Sequence, residues 1–206
     1  MDSYGIGEIV QSHDITLFDT SALGYSFMER VGENRFYTHS LLHKKRYEDH
    51  LITIFEENPQ TYVTHGVYKE FSKGVRKFSP ISPKKYTDSH ASILKQLKTA
   101  LSKGHVLNLP EDDLPVQNAL RVLPDIFSGL VDLYNLSKVD FELAISTLTC
   151  SCYIGNTALL TDDMNLARMC VRGYNDLRAN NNFSVEYNLD LYTRNRNRDV
   201  FRRFHQ

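Results

Sequence analysis

The chain has no tryptophan, only three cysteines, six prolines and ten glycines in 206 residues. An odd set of thiols, at Cys150, Cys152 and Cys170, excludes a disulfide framework and suits a reducing compartment. Zinc is disfavoured as well, because no Cys-x-x-Cys pair occurs and Cys150 and Cys152 point to different faces of a helix. Net charge is also missing: 24 Lys and Arg stand against 25 Asp and Glu. Only the distribution of charge can therefore speak about partners. No window approaches the roughly eighteen apolar residues of a membrane span. The stretch from Met1 to Gln11 lacks the basic flank and apolar run of a signal peptide. Gly5-Ile6-Gly7 leads into no phosphate-binding turn, and neither a P-loop nor a Gly-x-Ser-x-Gly elbow is present. What remains, at 41% apolar and 24% charged, is the composition of an ordinary globular domain. The expectation is a cytoplasmic chain with one core.

Hydrophobic periodicity predicts strands at Ile15–Phe18, Thr61–Thr64, His105–Leu109, Thr157–Thr161 and Phe183–Leu189. Between them it predicts helices over 22–31, 40–57, 66–73, 88–103, 114–136, 137–153 and 163–172, with Pro124 a possible bend. Strands separated by helices, with few hairpin signals, indicate an α/β fold with a mostly parallel sheet of four to five strands. Residues 1–13 read as a flexible arm, 14–190 as the folded domain, 74–103 as a basic and helical insertion, and 191–206 as a basic tail.

Four carboxylates are expected at the C-terminal edge of such a sheet. Asp19 ends the first strand and Asp163 follows the Thr157–Thr161 strand; Glu70 and Asp140 each sit among apolar residues at helical spacing. Clustered acids repel unless something neutralises them. A hard divalent cation, Mg²⁺ or Mn²⁺, prefers such oxygen ligands, and one or two ions can bind a phosphodiester and activate water. The hydroxyls of Thr20, Ser21 and Thr161, with Asn165 beside them, are candidates to orient the carboxylates.

These segments resemble the PIN-domain ribonucleases, a family that includes the VapC-type toxins. The resemblance covers roughly residues 14–190. It rests on Phe18-Asp19-Thr20-Ser21, on Val67 through Glu70-Phe71, on Asp140-Phe141-Glu142-Leu143-Ala144, and on Leu160-Thr161-Asp162-Asp163. It implies a three-layer α/β/α sandwich and a metal-dependent endoribonuclease. Asp19, Glu70, Asp140 and Asp163 would be the catalytic metal ligands, Asp162 an accessory one, and Glu142 an exposed neighbour. The chain is longer than compact members of the family. RNA is then the expected substrate, with a protein antitoxin, an RNA-processing partner or a second copy of the chain as further partners. Two alternatives accompany this reading. One is a PIN-like RNA-binding or assembly module that does not cut. The other is a haloacid-dehalogenase-like phosphatase, which Ser21 disfavours because such enzymes carry a second aspartate there.

Cations crowd two segments: Lys69, Lys73, Arg76, Lys77, Lys84 and Lys85, and then Arg194, Arg196, Arg198, Arg202 and Arg203. Phe71, Phe78 and Tyr86 lie among the first group, and Tyr192, Phe201 and Phe204 among the second. Cations for phosphates and rings for stacked bases are what single-stranded RNA binding uses.

Overall fold

The computed structural model describes residues 3–23, 37–77, 84–110, 112–179, 185, 187–195 and 200–204. The strands are β1 (Ile15–Phe18), β2 (Thr61–Tyr62), β3 (Thr157–Leu160), β4 (Leu189–Asn195) and β5 (Val200–Arg203). Around them run α1 (Ile6–Gln11), α2 (Thr20–Leu23), α3 (Tyr37–Glu57), α4 (His65–Lys77), α5 (Lys84–Ser102), α6 (Leu114–Tyr134), α7 (Lys138–Tyr153) and α8 (Met164–Ala179). The sheet order is β2-β1-β3-β4-β5, parallel throughout except for the β4–β5 pair.

Burial explains the order. Every residue of β1 and β3 is buried, as expected for central parallel strands covered on both faces. Helix α7 is buried from Leu143 to Cys152 without interruption, so it has no solvent face over that stretch. It packs on β3 and against α4, α6 and α8. Its start is sharply set: Asn135 ends α6 in the left-handed region at φ 51°, and Ser137 caps α7 through the Asp140 N–H at 3.1 Å. Among the described residues no helix is long and apolar enough to cross a membrane.

Several expected boundaries move. Residues 1–13 are not a loose arm, because α1 buries Ile6, Ile9 and Val10, and Tyr4 bridges Phe201 on the sheet. Two backbone hydrogen bonds of 2.9 Å close that bridge. The basic tail is structure too, since β4 and β5 pair antiparallel across Tyr192↔Arg203 and Asn195↔Val200. The last parallel strand begins at Leu189, where the expected one was to end. Helix α4 runs through Gly74 to Lys77, and α5 starts at Lys84 rather than Asp88. The 105–109 strand reduces to one bridge, Val63↔Val106. The expected helix over 22–31 lies mostly outside the described residues, as do 78–83 of the insertion and the start of the 183–189 strand.

Candidate active site

The chain leaves β1 for β2 on one side of it and later returns to set β3 on the other. At such a topological switch point, beyond the strands' carboxyl ends, open α/β sheets bind ligands. Asp19 lies at the end of β1 and Thr161 at the end of β3, on the two sides of this switch point.

Asp19 is only 4% exposed. Its Oδ2 accepts the Ser21 hydroxyl and, at 2.9 Å, the Thr161 hydroxyl. Each hydroxyl in turn accepts a backbone N–H of the β3–α8 loop, Ser21 from Asp162 and Thr161 from Asp163, both at 2.9 Å. With N–H donors on their lone pairs, the two hydroxyls have their protons directed at the carboxylate. The ring fixes Asp19 across the β1–β3 seam. Burial nevertheless pushes its pKa up to about 6; the two hydroxyls and the Thr20 N–H pull the other way, and the Asp140 charge adds to the rise. No cationic side chain among the described residues pairs with it.

Asp140, Asp163 and Glu70 are each engaged by other groups. Asp140 is half-buried, and its charge reaches Asp19, but its Oδ2 accepts the Ser137 N–H at 2.9 Å in a reciprocal capping box. Asp163 caps α8, its Oδ1 accepting the N–H groups of Asn165 at 2.7 Å and Leu166 at 3.2 Å. Glu70 is exposed on α4 and accepts the Thr20 hydroxyl at 2.6 Å. Asp162 is half-buried, and the Asn165 side chain is exposed. Among the described residues no three His, Cys, Asp or Glu side chains form a cation-holding group. The physical reason is local. First-turn N–H groups attract Asp140 and Asp163, and Thr20 attracts Glu70.

Glu142, expected to be an exposed bystander, is half-buried, and its Oε1 accepts the Gly66 N–H in the first turn of α4 at 2.9 Å. A Cβ on Gly66 would come within 2.8 Å of Glu142 Oε2, so glycine is what lets the carboxylate approach. This bond ties the helix bearing Asp140 to the helix bearing Glu70. Sequence spacing carried no sign of it, because Glu142 looks like any surface glutamate of a helix. Cys170 is buried close enough to Asp19 to feel its charge; burial first, then that charge, push its thiol up, which keeps it protonated and unreactive.

Of the expected RNA contacts, Lys69 and Lys73 are exposed on α4, flanking Glu70 by one and three residues. Arg76 and Lys77 end that helix, Lys84 and Lys85 begin α5, and Arg194 lies in β4, their side chains outside the description. Arg196 and Arg198 lie outside the described residues altogether. Arg202 is exposed on β5. Arg203 differs from its expected role: its guanidinium bonds Asp190, whose other oxygen meets His13 Nε2 at 3.2 Å. It closes the β4–β5 edge onto the α1–β1 turn.

Neither a family model, a curated protein nor a solved structure matches the chain.

Proposed function

We propose that the chain is a metal-dependent endoribonuclease with a PIN-like three-layer architecture, acting at the switch point between β1 and β3. The observation that carries this reading is Asp19 itself: a buried carboxylate at the sheet's switch point, oriented by two hydroxyls and, among the described residues, left without a cationic partner. Burying a charge in this way is costly unless something compensates it. The groups that would hold an ion beside it are carboxylates and hydroxyls, since the buried Cys170 thiol stays protonated, and oxygen donors suit Mg²⁺ or Mn²⁺. Asp19 and Asp140 would hold the ion, with Asp163, Glu70 and Asp162 at the rim. Once bound, the ion supplies Lewis-acid polarisation of the phosphoryl oxygens and a lowered pKa for attacking water.

The chain's own residues do the rest. Ser21 and Thr161 keep Asp19 ionised and aimed; Thr20 holds Glu70 at the rim; Glu142 keeps α4 in register with α7. Lys69 and Lys73 on the same helix as Glu70 provide positive potential that draws in a polyanion.

Incubating a structured RNA with the wild type and with Asp19→Asn, with Mn²⁺ and with excess EDTA, tests the reading. Cleavage by the wild type that both Asp19→Asn and EDTA abolish supports it. Undiminished cleavage in either condition sinks it. A second reading, an RNA-binding module that does not cut, draws on the capping roles of Asp140 and Asp163. Tight binding in EDTA with no cleavage in Mn²⁺ would favour that alternative.

A further inference from the structure

Most of the large apolar side chains that stand exposed among the described residues belong to one element: Leu114, Leu120, Ile126 and Leu133 on α6, with Met164 at the start of α8. The inner face of α6 is accounted for by Val116, Ala119, Leu123 and Phe127, all buried. On one flank of that face, Pro115, Val122, Ile126, Gly129 and Leu133 recur at helical spacing. Ile126 is 47% and Leu133 60% exposed. Gly129 belongs to the same stripe, and a Cβ there would meet nothing within 4 Å. Glycine inside a helix is unfavourable, and no contact among the described residues calls for it here. A close-packed partner backbone would.

We infer that this stripe docks an amphipathic helix with cationic flanks, supplied by a protein partner. Charge decides between the possible occupants. Asp125 and Asp132, both exposed, precede Ile126 and Leu133 and line one border of the stripe, while Asp112 stands exposed just before the helix. The exposed Arg121 stands on the same side, one turn before Asp125 and about 20° beyond Asp132, so acid outnumbers base two to one along that border. An antiparallel pairing with a second copy would seat Ile126 on Gly129 and Val122 on Leu133, a favourable apolar register. The same register brings Asp125 of one copy alongside Asp132 of the other, twice along the same border. Like charges so placed oppose self-association, whereas Lys or Arg flanks on a partner helix complement them. The docking mode is helix-in-groove, with anchors read at heptad-like spacing.

The test uses the full chain and, as probe, a Leu/Lys amphipathic peptide about 18 residues long, five turns of helix. Calorimetric titration should give saturable one-to-one binding that weakens with salt. Ile126→Glu with Leu133→Glu, and separately Asp125→Lys with Asp132→Lys, should each weaken it at least about tenfold. Gly129→Leu should block docking while the melting temperature stays at or above wild type, because its side chain projects into open space. Absence of saturable binding, or binding that these variants leave unchanged, overturns the inference. So does a dimer in sedimentation that Ile126→Glu dissolves, which would assign the stripe to a second copy.

Discussion

Two aspartates on the same sheet are treated in opposite ways. Asp190, on β4, lies between His13 and Arg203; burial alone would raise its pKa, but these two partners outweigh burial and hold it below the ordinary carboxylate range. Asp19, at the end of β1, receives only hydroxyl and N–H donors among the described residues, and burial with the nearby Asp140 leaves it at about 6. The first is a clasp: it ties the α1–β1 turn to the β4–β5 edge and its charge is satisfied within the chain. The second is a carboxylate whose charge the described chain does not satisfy. A buried acid left uncompensated at a sheet's switch point is a functional-site candidate.

Substitution should separate the two. Asp19→Asn removes a charge that the fold disfavours, so at pH 7.5 it should stabilise the chain by about 3 kcal/mol, from a folded pKa near 6 against 3.8 unfolded. Because the folded state holds that proton more tightly, the wild type loses stability as pH rises from about 4 to about 6. The advantage of Asn should therefore vanish in denaturant titrations near pH 4. A gain that persists there would contradict the assignment. Thr161→Val removes one of the hydroxyls that aim Asp19, and RNA cleavage in Mn²⁺ should fall roughly 10- to 100-fold, as for other groups that orient metal ligands. Unchanged rates would leave Thr161 with a packing role only.

Asp190→Asn should act in the reverse sense, costing about 1–2 kcal/mol at pH 7.5, moderated because Arg203 is partly exposed. The lowered pKa means this contribution is full above the unfolded carboxylate value and is lost as pH falls through the folded one. The penalty should shrink in acid, with cleavage little affected throughout. The smallest effect belongs to Gly129→Ala on α6, a gain of about 0.5–1 kcal/mol in thermal unfolding.

The parts of this picture that sequence alone supplies are those with continuous or strictly periodic burial. β1 and β3 are short, mostly apolar runs buried at every position because both faces are covered, and Ser137 and Asp140 announce the start of α7 by a reciprocal cap. Helix α1 hid because six residues offer only Ile6, Ile9 and Val10 as apolar positions, and β5 hid because arginines interrupt its pattern. At the site, the order of acids at strand and helix ends was readable, and so was the placing of Asp19 beside Thr161. The direction the carboxylates take was not: Glu70 and Asp140, whose apolar neighbours suggested inward-facing side chains, are exposed and half-buried. Asp140 and Asp163 answer to the nearest free N–H groups, and Glu70 answers to Thr20, a contact between residues 50 apart in sequence. Spacing does not encode that competition.

The central claim is that Asp19 is ionised to receive a divalent cation. Thermal unfolding at pH 7.5 with increasing Mn²⁺, run on the wild type and on Asp19→Asn, measures this directly, because a ligand bound only by the folded state raises its stability. The account predicts a saturable rise in melting temperature for the wild type that weakens at pH 5, where Asp19 holds its proton, and that Asp19→Asn abolishes. An equal rise in both proteins, or none in the wild type, would contradict it.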